Sequence, residues 1–203
     1  VFVLDKPVIS REFVEEIGKL NLPIVWIDHH DIPSGEFADE FKNFFQYNSA
    51  KSGDMKGEPV TYLCYRVCEK KEDIWIAVVG CIADHFLPDF AEEFAKTHPE
   101  FWGKNIIEPF DAYFGTEVGK IARALNFGLK DSVSNVVRLQ NFLIAVKSPE
   151  EIFSESSGNY YFRKKYSEVK KKYDALLERA KSNVGGKMIF FDYSGELSIS
   201  SDL

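Results

Sequence analysis

An acid and two histidines, Asp28-His29-His30, follow directly on the apolar, largely β-branched run Ile24-Val25-Trp26-Ile27. Carboxylate and imidazole in one short segment form a donor set suited to a divalent cation. A buried strand of an α/β sheet delivers such side chains at its carboxyl edge, where open sheets hold their ligands. Val1-Phe2-Val3-Leu4-Asp5 repeats the pattern, a short apolar run that ends in an acid. Between the two, Ser10 to Leu20 carries Phe13, Ile17 and Leu20 at helical spacing. The spacing predicts a βαβ unit, whose right-handed crossover brings Asp5 and Asp28-His29-His30 to one edge of a parallel sheet.

The elements that must hold those residues follow in order. After His30 the chain turns polar, with Gly, Pro and Ser punctuation through Asp31–Gly35 and Asn48–Asp54; such connections shape access to a site. Phe41, Phe44, Phe45 and Tyr47 lie within it, and their rings either stack on bases or bury a short strand or helix. Gly57 to Thr61 opens a helix, with Pro59 in its first turn and Val60, Leu63, Cys64, Val67 and Cys68 on one apolar face. Asp73 to Asp84 is apolar nearly all round and contains the small residues Ala77, Gly80 and Ala83, which favours a buried helix. The Asp84 carboxylate at its end either holds a ligand or points to water. His85 either lines the mouth of a site or caps a helix end as an ordinary polar residue; His98, before Pro99, reads as a surface residue.

From Phe86 to Val146 the pattern is helical, with amphipathic blocks at Gly119–Phe127 and Val133–Val146. Arg123, Arg138 and Gln140 read as surface or packing residues rather than as phosphate ligands. A short helix begins at Ser148-Pro149-Glu150, and Tyr160 to Asn183 forms a long polar helix. Its narrow apolar stripe is Tyr161, Tyr166, Val169, Tyr173, Leu176, Leu177 and Ala180, as suits a helix that joins two lobes. Arg163-Lys164-Lys165 and Lys170-Lys171-Lys172 share one side of it, either as a track for a nucleic-acid backbone or as a solvated face. Val184-Gly185-Gly186 then breaks the helix ahead of a strand at Lys187–Tyr193.

Composition narrows the function classes. The chain has 203 residues, 45% of them hydrophobic and 28% charged, as in an ordinary globular protein of one medium domain or slightly more. No apolar run approaches the ~20 residues that span a bilayer. The three cysteines, Cys64, Cys68 and Cys81, are odd in number and stand in apolar helical contexts, which favours core packing over a disulfide framework and places the chain in a reducing cytoplasm. The net charge of −7 argues against a general electrostatic grip on nucleic acid. The acidic excess lies in residues 1–150, so any phosphate recognition must be local.

Asp5, Asp28-His29-His30 and the downstream Gly80-Cys81-Ile82-Ala83-Asp84 resemble the second, third and fourth motifs of the DHH phosphoesterase superfamily. The likeness continues through Glu108-Pro109-Phe110-Asp111-Ala112-Tyr113 and is nearest to the archaeal RecJ-like exonucleases. The fold it implies is α/β, a parallel sheet with flanking helices, followed by a helical segment and a long linker helix. The domains expected are residues 1–150 for the DHH domain, 151–184 for the linker helix and 185–203 for the start of a C-terminal DHH-associated domain. Sequence is also expected before Val1, where that family carries its first motif. The resemblance makes Asp5 the carboxylate that bridges two metal ions, His29 and Asp84 ligands of one of them, and His30 a catalytic residue facing the scissile phosphate. Asp28 orients the histidines; apart from the resemblance, His85, by its place after Asp84, is expected to join His30 in contacting substrate. In this family the helix after Gly57 begins beside the metals, where its free amides can face a phosphate.

The cofactors implied are two Mn²⁺ (or Mg²⁺) ions, and the substrates single-stranded DNA or RNA or short oligonucleotides. Cyclic dinucleotides are a rival substrate. From another class comes a catalytically inactive scaffold that partners replication or repair proteins. The presence of Asp5, Asp28, His29, His30 and Asp84 favours the enzyme. Without the first motif, these 203 residues by themselves are expected to be catalytically incompetent.

Overall fold

Ile24, Trp26 and Asp28 alternate with Val25 and Ile27 along a strand, and that alternation organises the first part of the structure. This strand, β2 (Ile24–Asp28), is the centre of a three-stranded parallel sheet in the order β1-β2-β3, between β1 (Phe2–Leu4) and β3 (Phe44–Asn48). The computed structural model describes residues 1–31, 40–51, 57–182 and 191–192. Phe2, Val3 and Leu4 pair with Val25, Trp26 and Ile27, and Ile24 to Asp28 pair with Phe44 to Asn48. The architecture is therefore mixed α/β, a parallel sheet with flanking helices, as the alternating apolar patterns predict.

Helix α1 (Arg11–Lys19) connects β1 to β2. The Ser10 hydroxyl accepts a hydrogen bond from the Phe13 N–H at 3.2 Å, which satisfies one of the free amides at the helix start. Val14 and Ile17 pack against Val3, Ile24, Trp26 and Phe44. The expected face of Phe13, Ile17 and Leu20 is therefore corrected. With two turns and a start fixed by Ser10, the helix turns Val14 to the sheet, while Phe13 is exposed and Leu20 falls past the last turn as the C-cap.

Helices α2 (Val60–Cys68) and α3 (Ile74–Ala83) pack on each other, joined through a 3₁₀ turn at Lys71–Asp73. α3 is buried on nearly all sides, as its all-round apolar character predicts. Gly80 is where the two helices meet most closely, since a Cβ there would come within 2.6 Å of the Thr61 methyl. The expected apolar face of α2 holds at Val60, with Leu63 and Cys64 half-buried, and is corrected at its last turn. There Val67 is 82% exposed and Cys68 is exposed, while Tyr62 stacks on Phe90 and Tyr65 tilts against the same ring. Pro59 sits at the N-cap, one step before the first turn.

Three further helices continue the chain, α4 (Ala91–Thr97), α5 (Pro109–Gly115) and α6 (Glu117–Gly128). α5 starts on a capping box in which Glu108 and Asp111 each satisfy the other's backbone, with Pro109 at the first helical position. Gly119 has no room for a side chain, because a Cβ would lie 2.1 Å from the Tyr113 carbonyl oxygen.

The chain divides into two compact units, Val1–Gly119 and the part from Lys120 onward. In the second, α7 (Val133–Ala145) packs on α8 (Tyr160–Ser182), with a 3₁₀ turn at Pro149–Ile152 between them. Asn159 is fully buried and ties the turn down, its amide donating to the carbonyls of Ile152 and Ser154. On α8 the expected stripe holds at Tyr166, Val169, Tyr173 and Leu176, which pack with Phe127. Tyr161 and Leu177 are exposed instead, and Tyr161 carries the Arg138 guanidinium over its ring at 4.7 Å. The strand expected at Lys187–Tyr193 lies outside the described residues except for Phe191 and Asp192.

Candidate metal centre

β1 and β2 end side by side because they are parallel and in register, so their last side chains share one sheet edge. The ladder runs one residue past β1, with the Asp5 N–H donating to the Ile27 carbonyl at 3.0 Å. Asp5 then takes a left-handed conformation (φ 54°), which Asp tolerates better than most residues, and the chain turns away. The next carbonyl, of Lys6, accepts from the Trp26 indole at 2.8 Å, which fixes the turn to the core. An exposed carboxylate is left standing beside the end of β2.

His29 and His30 come to that carboxylate. His29 Nε2 lies 3.2 Å from Asp5 Oδ1 and His30 Nδ1 lies 4.0 Å from it. One ligand atom from each of the three residues falls within 4.8 Å of the others, and it is the only such grouping of His, Cys, Asp and Glu among the described residues. Two nitrogens and an oxygen at this spacing, none sequestered in the core, form a donor set that could hold a divalent cation and contains no thiolate.

Asp28 stands behind the cluster. It continues the inward row of Ile24 and Trp26 and is 2% exposed, so its carboxylate must be bound by donors. It accepts from the His30 N–H at 3.1 Å and faces His30 Nδ1 at 2.9 Å. That contact is the main reason the His30 imidazole is held above its ordinary pKa. With Nδ1 donating to Asp28, the Nε2 side of His30 is left for metal or phosphate.

β3 braces the same edge from the other side. Asn48 Nδ2 donates to the His30 carbonyl at 3.0 Å, and the Ser49 N–H donates to the Asp28 carbonyl at 3.2 Å. Asn48 is a positioning residue that the sequence reading placed in a polar loop. The signal for it was present, a polar side chain directly after a short run containing Phe44 and Phe45. Of the ring-bearing residues here, Phe44 is buried in the sheet core, while Phe45 and Tyr47 are exposed. Burial therefore accounts for Phe44 but not for its two neighbours.

Asp84 approaches from the end of α3. The helix closes in a Schellman turn, with Phe86 N–H donating to the Cys81 carbonyl and His85 N–H to the Ile82 carbonyl, and with His85 in the left-handed position (φ 53°). Asp84 keeps an exposed surface, yet loss of water around its carboxyl is the first cause of a raised pKa. The charge of Asp5 pushes the same way, while His29, His30 and His85 pull it down. Asp84 thus shares its surroundings with the cluster, although it is not one of the three residues within ligand distance of each other. The His85 ring lies 4.4 Å from that of Phe110 and 5.1 Å from that of Tyr113.

The other candidates take ordinary roles. Cys64, Cys68 and Cys81 are free thiols. Arg138 donates to Asn135 and covers Tyr161. On α8, Lys165 and Lys172 pair with Glu168, Lys170 with Asp174, and Lys181 with Glu178. No helix among the described residues is long and apolar enough to cross a membrane. No protein-family model, curated protein or solved structure matches the chain.

Proposed function

We propose that this chain carries the metal-dependent phosphodiesterase site of a DHH-type phosphoesterase, acting on single-stranded nucleic acid or short oligonucleotides as a RecJ-like exonuclease does. The observation that supports it is the approach of Asp5 to His29 and His30 at one sheet edge, with buried Asp28 behind them. Paired Mn²⁺ or Mg²⁺ ions, when bound, activate a water and neutralise charge on the phosphoryl oxygens. Asp5, His29 and Asp84 hold metal. His30, kept in one orientation by Asp28, presents its outer nitrogen to the phosphate, and its raised pKa favours the protonated form that donates to an anion. Asn48 and the Trp26–Lys6 contact keep the two strand ends from drifting apart. His85 extends the site toward substrate.

Asp5, His29 and Asp84 offer too few donors for two complete coordination spheres, so these 203 residues are expected to take up one ion and to turn over little substrate. Calorimetric titration with Mn²⁺ tests this, beside cleavage assays on single-stranded DNA, single-stranded RNA and a cyclic dinucleotide. One site per chain that disappears in His29→Ala is the expected result. Absence of Mn²⁺ uptake, or uptake indifferent to His29→Ala, overturns the metal assignment. Cleavage confined to the cyclic dinucleotide overturns the choice of substrate.

A further inference from the structure

The capping box at the start of α5 fixes which of its residues face inward. Ala112 and Tyr113 are buried, whereas Phe110 and Phe114, four residues apart on one face, remain 46% and 54% exposed. Their rings are nearly parallel, 10° apart with centroids at 6.1 Å. The His85 ring adjoins Phe110, and Tyr113 stands edge-on to both His85 and Phe114. The His85 Nε2 atom is shut off from solvent with no hydrogen-bond partner among the described residues. Buried polar atoms are rarely left so without a reason. These rings begin one residue from Asp84, whose carboxylate feels Asp5, His29, His30 and His85 together. The aromatic surface thus begins beside Asp84.

We propose that His85, Phe110 and Phe114 form a nucleobase-stacking platform, on which a strand with its phosphate at the Asp5–His29–His30 cluster lays an adjacent unpaired base. The position of the phosphate rests on the phosphodiesterase reading; the stacking itself does not. Every base offers a π-face, so the platform accepts any sequence but requires a single strand, because duplex bases are already stacked on one another. A protein partner is the poorer occupant. Phe110, Phe114 and the neighbouring exposed Ile107 make a patch far smaller than the ~800 Å² per side that a stable protein interface buries.

The test uses the 203-residue chain with Mn²⁺ and a phosphorothioate DNA tetranucleotide carrying 2-aminopurine at one end or the other. The RNA counterpart and an abasic tetranucleotide are run alongside. The expected result is quenching of 2-aminopurine on binding. Phe110→Ala and Phe114→Ala should each weaken the base-bearing strands about tenfold, with little change for the abasic strand, while Phe114→Trp retains binding. Equal affinity for abasic and base-bearing strands overturns the platform, as does a Phe114→Ala loss that is the same for both. Self-association of the chain that Phe110→Ala abolishes, without base-dependent binding, overturns it in favour of a protein interface. Mn²⁺ titration of the same samples separates the two readings. Mn²⁺ uptake with base-independent binding removes the platform alone, and base-dependent quenching without Mn²⁺ uptake upholds the platform while removing the metal assignment.

Discussion

The sheet edge at Asp5 and the lysine-rich face of α8 both concentrate charge, and they dispose of it differently. At the edge, the ends of two strands separated by a helix, and the end of a third element, bring carboxylates and imidazoles from distant parts of the chain together. On α8, most lysines meet a carboxylate three or four residues away in the same helix. Lys164 and Lys171 remain without a partner among the described residues, too few for a continuous phosphate track. Convergence of carboxylates and imidazoles from unlike elements marks a site better than the density of one charge along a single helix does. Exposed ion pairs along a helix contribute about 0–1 kcal/mol each and serve to keep the helix soluble and formed.

The contrast is most exposed to Asp5→Asn. The change keeps the left-handed backbone that Asn also accepts, and the residue is exposed, so the melting temperature should hold. Mn²⁺ affinity should fall by more than about a hundredfold, beyond what loss of an outer partner causes. Calorimetry and a thermal melt on the same sample check both halves. An unchanged affinity would make the edge no more special than α8.

Asp28→Asn comes next, with an expected loss of Mn²⁺ affinity smaller than that of Asp5→Asn, because it removes a negative charge behind the cluster while its partner His30 holds no metal. It also carries a pH signature. Asp28 raises the His30 pKa, and a protonated His30 repels an incoming cation, so Mn²⁺ affinity in the parent should decline as pH falls through a midpoint above the ordinary imidazole value of about 6.5. In Asp28→Asn that midpoint moves to lower pH. Affinity measured across pH 5.5 to 8, in about half-unit steps, reads the shift.

A smaller effect of opposite sign is expected at Asp84. Its folded-state pKa is raised, so its protonated form favours folding at low pH, and that contribution is lost as pH rises through the raised value. Above it, the metal-free Asp84→Asn chain should melt about 1–2 °C higher than the parent, an effect kept small by the residue's solvent access. The gap should close in acid, as melts at pH 7 and pH 3.5, roughly either side of the carboxyl range, will show. Smallest of all, Lys170→Ala and Lys172→Ala should change stability by only a few tenths of a kcal/mol, and binding of single-stranded DNA at physiological salt should not respond.

Patterns of period two and 3.6 are local, so β1, β2, α3, α8 and the strand-ending positions of Asp5 and Asp28 were legible in the sequence by itself. What it determined was which residues reach the sheet edge. The rotation of a helix about its axis is decided by its neighbours, and there the reading of faces failed in part. α1 turned Val14 rather than Phe13 to the sheet, and the last turn of α2 left Val67 in water. The pairing of β3 with β2, which enlists Asn48 behind His30, is a contact between segments separated by a polar connection, and no local period encodes such a contact. The outward Phe110 and Phe114 were likewise settled by tertiary structure, because hydrophobicity states that a ring gains from burial but not which rings the core has room to bury.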